Sequence, residues 1–429
     1  MIFKNISILN KDFEVEDNMY VAVGGDKIEY IGKEMPESFS GEEYDGRGKL
    51  LMPGFYNSHG HSPMSLMRGY GENLALQDWL NKKIFPFEAK LTHNAVYWGT
   101  LLSMAESLRF GIVSTTDMYY FVEDMAQAVL DSGAKNNISR SIVNFSGENF
   151  SEMESYKEMK YAVENLHGLG EGRILIDSSL HGEYTSDENT ARALAELTKE
   201  LGLNMHVHVS ETKTEHIQCK ERHEGLTPVE YLNQCGIFDS HCVAAHCIWI
   251  EGDDFDILKE KDVTVATNPV SNLKLASGIC DVDKILKKEI NLAIGTDSVA
   301  SNNSLNFMEE MKILALLAKE KSGDPSKVTA KEVLTAATWG GAYGQGRMDC
   351  GKIDLGFKAD LIVIDTSVAN MGPIHNMANN LVYSSSGSDI VLTMVDGKVL
   401  YEKGEYKTID LEKTLFEAQK ATDKILKEI

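Results

Sequence analysis

The sequence predicts an α/β chain: a (β/α)8 barrel with a minor β domain assembled from both chain ends. Three observations carry this expectation. Short alternating strands occupy both ends of the chain. Between them, from Leu51 onward, apolar strands alternate with amphipathic helices, the pattern of a parallel sheet with helices on its faces. The length, 429 residues, suits one large barrel plus a small domain better than one small core.

The N-terminal strands are Ile6 to Leu9, Met19 to Val23 and Lys27 to Ile31, punctuated by Gly24, Gly25 and Gly32. In the middle region Ala95, Trp98, Leu101, Leu102, Ala105 and Leu108 fall at helical spacing, and Gly111 stops that helix. Val113 to Thr116 is the strand that follows. Asp187 caps a helix through Leu201, which Gly202 ends. Met205 to Val209, Val243 to Ala245, Val263 to Thr267 and Leu292 to Gly295 are further strands. After Gly356 the strand pattern returns at Leu361 to Ile364, Ile390 to Val395 and Lys398 to Tyr401. The expected domains are 1–54 with 356–410, then 55–355 as the barrel, then a charged amphipathic helix over 411–429.

Composition narrows the function. The formal charge is −23, with 43% apolar and 25% charged residues, as in a soluble globular protein. So acidic a chain repels phosphate backbones and anionic membranes; neither nucleic acid nor membrane is expected as a partner, and a small molecule is. The six cysteines form no CxxC pair and no disulfide-like framework, which predicts reduced thiols in a cytoplasmic enzyme. Charges interrupt every short apolar run of MIFKNISILNKDFEVED, so it does not read as a signal peptide, and no run reaches the length of a membrane span.

The strongest local signal is Pro53-Gly54-Phe55-Tyr56-Asn57-Ser58-His59-Gly60-His61. Side chains at i and i+2 on a strand point the same way, so His59 and His61 can bite one metal together. Alone, the pair is a weak signal and reads more readily as two surface histidines in a loop. His208, His246 and Asp297 strengthen it, because each sits where a predicted barrel strand stops, and barrel active sites are built at that rim. Imidazoles with a carboxylate suit zinc or a similar divalent ion such as iron. His206 shares a face with His208 one layer deeper and reads as a packed interior histidine, with a ligand role as the alternative. His93, His167, His216, His223 and His375 fall in helical or loop contexts and read as surface or structural residues.

The segments PGFYNSHGH, HVHVSET, AAHC, TNPVSNLKL and GTDSVASNNSLNFMEEM, with the late GKIDLGFKADLIVID and TMVDGK, resemble the amidohydrolase superfamily. Within it they are most similar to the 5-methylthioadenosine/S-adenosylhomocysteine deaminases. The resemblance implies a distorted (β/α)8 TIM barrel with a small β-sandwich domain formed from both termini. It implies that His59, His61, His208 and Asp297 hold one metal, zinc or iron, and that His246 contacts the attacking hydroxide or the tetrahedral centre. Binuclear members carry a bridging lysine on the fourth strand; Ile174 to Tyr184 contains none, so a mononuclear site is expected. The metal would acidify water. Asp297 would accept that proton and pass it to the departing amine, while Glu211, three residues past His208, would protonate a ring nitrogen. The plainer reading of Glu211 is a helix-starting acid.

By the same resemblance Glu88 accepts hydrogen bonds from ribose hydroxyls and Trp79 packs on the sugar or its 5′ substituent. Glu88 also reads as a helix N-terminal acid. His181 matches a purine contact and Arg140 an arginine near the substrate tail. Two departures stand out. His181-Gly182-Glu183-Tyr184-Thr185 replaces a proline-bearing sequence, and Asn144 to Glu154 lacks the family's second arginine, with Glu148 and Glu152 there instead. The expected activity is therefore deamination of adenosine, 5′-deoxyadenosine or 5′-methylthioadenosine ahead of S-adenosylhomocysteine. The alternatives are a guanine, pterin, cytosine or triazine aminohydrolase on the same fold, and a noncatalytic metal-binding protein. Family members commonly self-associate, so a homo-oligomer is open to this chain, though no interface is legible.

Overall fold

A computed structural model of the chain describes residues 1–37, 39–74 and 76–429. Eight parallel strands follow one another around a barrel: Phe55–Gly60, Ile112–Tyr119, Lys135–Ile142, Ile174–Gly182, Met205–Val209, Cys242–His246, Thr264–Thr267 and Leu292–Ile294. They are called the first to eighth barrel strands below. Each pairs with the next in parallel register. Closure is made at the rim, where Gly60 bridges to Asp297 and the Asp297 N–H donates to the His59 carbonyl at 2.9 Å. Gly295 permits this approach. A Cβ there would meet Asn268 Oδ1 at 2.2 Å and His59 Cβ at 2.7 Å.

Helices cover the outside, and their ends follow local chemistry. Thr92 caps His93–Arg109 through its side chain. Asp187 caps Glu188–Leu201, and Gly202 ends it in the left-handed region at φ 66°. Both the barrel strands and the inward helix faces bury apolar side chains; the Phe55 and Phe307 rings, for example, stack at 5.1 Å.

Both chain ends meet in one nine-stranded sheet. The strand Lys49–Pro53 pairs with Ile2–Leu9 on one side and with Leu361–Asp365 on the other. Eight of the strands form one continuous hydrogen-bonded path, Glu43–Asp45 pairs off it with Ile2–Leu9, and the sheet folds over its own core of Phe3, Ile6, Val21, Leu51, Val363 and Met394. Alternate residues, such as Leu50, Met52, Ile362 and Ile364, face the barrel instead. A buried polar knot joins the sheet to the barrel: Lys135 on the third barrel strand pairs with Asp360 and with Asp396 (2.7 Å), and the Tyr56 hydroxyl donates to Asp360 at 2.7 Å. Removing Lys135 would leave the buried Asp360 carboxylate uncompensated, which typically costs about 3–5 kcal/mol.

Two segments of the C-terminal third side with the barrel. Met377–Tyr383 is a helix that packs on Phe307–Ser322 and Ala330–Thr335, and Leu381 and Val382 enter the barrel core. Leu411–Leu426 lies against His93–Arg109. Among the described residues no helix is long and apolar enough to cross a membrane.

Candidate metal centre and active-site pocket

The chemistry gathers at the C-terminal rim of the barrel. His59 is fully buried, and its Nδ1 lies 2.9 Å from His206 Nε2. His61 Nδ1 donates to the Met118 carbonyl at 2.8 Å, and His208 Nδ1 to the His181 carbonyl. Each contact occupies the outer ring nitrogen, which leaves the Nε2 lone pairs facing inward. The candidate ligand atoms of His59, His61 and His208 lie within 4.8 Å of one another. Asp297 completes the cluster, with Oδ1 3.5 Å from His59 Nε2 and 3.3 Å from His61 Nε2.

Asp297 is aimed by its surroundings. Its φ is 59°, in the left-handed region. The Ser298 N–H donates to Oδ1 at 2.7 Å, and the Ser271 hydroxyl donates to Oδ2 at 2.6 Å. Burial pushes the carboxyl up, but the close contacts of the His59 and His61 rings hold it well below the usual carboxylate range. Burial pushes His59 down to about 3 and lowers His208 as well, so both rings are neutral and keep their lone pairs. His59 Nε2 is buried with no protein partner. A buried, partnerless imidazole nitrogen beside an anionic carboxylate, with the His61 and His208 rings converging on the same point, fits a divalent cation.

His246 ends the sixth strand at φ 73°. Its Nδ1 lies 2.8 Å from Asn272 Oδ1 and 3.1 Å from Asn268 Nδ2, and its Nε2 lies 4.0 Å from Glu211 Oε2. It also forms a tight ligand-atom cluster with His59 and Asp297, so it borders the same centre. Glu211 is buried beside it, with the Ser277 hydroxyl 3.4 Å from Oε1. Burial raises the Glu211 carboxyl, and His246 pulls against that.

A cavity of about 260 Å³ opens directly from this centre. Trp79, Glu88 and His181 line it, together with Glu211, His246 and Asp297. Burial pushes Glu88 up to about 7, against the neighbouring Tyr119 hydroxyl. His181 Nδ1 is buried without a partner, and burial lowers that ring to about 4.

Arg140 is absent from the lining. It pairs with Glu158, donates to the Ser141 carbonyl at 2.7 Å and stacks on the Tyr120 ring at 4.7 Å, so Tyr120 rather than Arg140 meets the cavity. Glu183 points away too, buried between Arg222 (2.6 Å) and His223 (2.7 Å). Glu148 and Glu152 are exposed and outside the lining; Val143 and Phe145 form that wall instead.

Sequence reasoning passed over several groups. Tyr119 ends the second barrel strand, where the strand-end rule could have found it. Ser271 and Asn272, which aim Asp297 and His246, lie in the segment TNPVSNLKL, whose pattern marks the family and not the role of either residue. Glu215 belongs to Thr212-Lys213-Thr214-Glu215, legible as a helix start and nothing more.

Residues 50–400 match the profile of the amidohydrolase family. A 5-methylthioadenosine/S-adenosylhomocysteine deaminase of Caldanaerobacter subterraneus subsp. tengcongensis is 40% identical over 429 residues, covering 100% of this chain and 99% of its own. A 5′-deoxyadenosine deaminase of Methanosarcina mazei is 38% identical over 428 residues, covering 99% of this chain and 98% of its own. The crystal structure of an adenosine deaminase from Xanthomonas campestris with bound zinc superposes with a TM-score of 0.93 at 28% identity, covering 99% of this chain and 98% of that one.

Proposed function

The chain belongs to the amidohydrolase family, and from that premise we propose that it hydrolyses the amino group of an adenosine-type nucleoside, giving the inosine analogue and ammonia. The enzyme is a hydrolytic deaminase, and its substrate is a small molecule. The observation that supports the chemistry most directly is a buried proton donor, Glu211, and a buried anionic acceptor, Asp297, on one cavity wall with three inward histidine nitrogens.

His59, His61, His208 and Asp297 would hold one divalent ion, zinc or iron. When bound, that ion supplies Lewis acidity that brings water toward deprotonation at neutral pH. Asp297 takes the proton of the attacking water and later gives it to the leaving amine. The Ser271 and Ser301 hydroxyls and the Ser298 N–H keep the carboxylate turned to the centre during both transfers. Glu211 donates its proton to a ring nitrogen as the amino-bearing carbon is attacked, and burial raises its carboxyl in the direction that favours the protonated form. His246, anchored through Nδ1, offers Nε2 to the oxygen of the tetrahedral centre. His181 meets the purine ring, and Glu88 accepts from the ribose hydroxyls.

Two other readings are weighed against this one. A guanine, pterin, cytosine or triazine substrate has no ribose to meet Glu88, which a nucleoside would engage. A noncatalytic metal carrier has no use for Glu211 or His246. Ammonia release from a panel of nucleosides, free bases and a pterin separates the three. The six cysteines are free and buried, which supports a reducing compartment, and we place the enzyme in the cytoplasm.

A further inference from the structure

Three Thr-x-x-Glu capping boxes can be compared within this chain. At Thr227/Glu230 and Thr329/Glu332 the glutamate turns back to the N–H of its own cap residue, at 2.7 and 2.6 Å, and both acids are partly exposed. At Thr212/Glu215 the acid is buried and reaches further. Oε1 accepts the Ser210 N–H at 3.0 Å, and Oε2 accepts the Glu211 N–H at 2.7 Å and the Thr212 N–H at 3.3 Å. A capping box requires only the last of these. The other two engage residues that precede the helix, one of them Glu211 itself.

The backbone is bent to make this possible. Ser210 sits at φ 49°, a region that residues with a side chain rarely adopt. The bend turns successive N–H groups toward one point, as in an anion-binding nest. The Ser210 carbonyl is held from the other side by the N–H groups of Ile248 (3.1 Å) and Trp249 (3.0 Å). Burial pushes Glu215 up to about 8, but the N–H bonds pull against that, and with only N–H donors meeting its oxygens the geometry is that of a carboxylate rather than of a carboxylic acid.

We propose that Glu215 is the positioning residue of the proton donor: its carboxylate fixes the backbone of Ser210, Glu211 and Thr212 and thereby sets where the Glu211 carboxyl stands against the ring nitrogen. The proposal rests on the reading of Glu211 as that donor. Glu215 touches no substrate and does not line the cavity. Glutamine at this position would keep the size but present an N–H to a backbone N–H, so the three bonds could not all survive.

The test is a double-mutant cycle on the metal-loaded enzyme, with kcat, KM, metal content and Tm measured for Glu215→Gln, Glu211→Gln and the pair. Expected for Glu215→Gln is a loss in kcat of about 10–100-fold, with KM and metal content within about twofold of the parent. On the Glu211→Gln background the same change should cost less than about threefold, because the group it serves is already gone. Equal losses on both backgrounds would assign Glu215 a general structural role and overturn the proposal. So would a parental kcat. If Glu215→Gln does not fold, Glu215→Asp keeps the charge and withdraws it by one methylene. A smaller kcat loss, again absent on the Glu211→Gln background, is then expected, and parental kcat overturns the proposal. Near-normal turnover by Glu211→Gln alone would instead sink the reading of the donor.

Discussion

His206 stands directly behind His59: its Nε2 lies 2.9 Å from His59 Nδ1, and the two rings meet at 82°. That contact holds the His59 ring with Nε2 turned toward the centre. Such a partner typically contributes 10–100-fold in metal affinity. His206→Ala should therefore weaken metal binding by about that factor while leaving a site that high metal concentration can fill. His208→Ala should lose metal and turnover outright. Metal titration of both variants, read by elemental analysis and activity, checks this. Equal, irreversible loss in both would make His206 a ligand.

Proton transfer and metal retention should separate. Glu211→Gln should keep about one ion per chain and lose turnover by roughly 100–10,000-fold, since an amide has no proton to deliver at this point. Asp297→Asn should lower both, because this carboxylate faces His59 and His61 and is the proposed proton acceptor. Two ions per chain needed for full activity would contradict the single-metal site.

How far the sequence reached follows from what its signals report. His59 and His61 were legible because a strand repeats every second residue, and the strand-end rule carried His208, His246 and Asp297 to the same rim. Periodicity reports a face, not a partner. It could not show that Arg140 would turn to Glu158, eighteen residues further along, or that Glu183 would turn to Arg222 and His223. Nor could the short apolar run Leu381–Val382 reveal that its helix leaves the composite sheet for the barrel core. Each of these is a choice among tertiary neighbours made after the local pattern is satisfied.

Glu88 makes binding depend on pH. Burial raises its carboxyl to about 7, so below that pH the free enzyme holds it protonated. Ribose hydroxyls donate and favour the anion, so affinity is gained as pH rises through 7 and falls by up to about tenfold per unit below it. The sign for stability is opposite. The native state holds this proton between the ordinary glutamate value and about 7, so the group favours the fold at low pH and costs stability as pH rises through that window. Calorimetric Kd values for the inosine-type product between pH 5.5 and 8.5 read the first effect. Glu88→Gln should flatten that profile and raise Tm relative to the parent at pH 8 more than at pH 5. An unchanged slope in the variant would remove Glu88 from ribose binding.

The cavity should rank substrates by their tails. Among the described residues no lysine or arginine lines it. Val143, Phe145, Leu80, Ile84 and Phe85 form an apolar wall, and Arg140, the one cation expected near the tail, is committed to Glu158. The outward Glu148 and Glu152 therefore matter less than the missing cation. An amino-acid carboxylate entering here would lose hydration without gaining a bidentate partner. A methylthio or methyl group would lose only water contact, which favours burial. The kcat/KM order should be 5′-methylthioadenosine or 5′-deoxyadenosine first, adenosine close behind, S-adenosylhomocysteine lower, and adenine below the nucleosides. Glu88→Ala should cut kcat/KM by roughly 10–100-fold for the nucleosides, the loss of one or two hydrogen bonds to a charged group, and much less for any free base. Phe145→Arg places a cation on the wall and should raise S-adenosylhomocysteine relative to 5′-methylthioadenosine. The measurement is one set of kcat/KM values over these compounds with guanine, cytosine and a pterin included. A free base or pterin leading by tenfold or more would end the nucleoside reading, yet Glu211 and the histidine cluster could still run the same hydrolysis on a different ring.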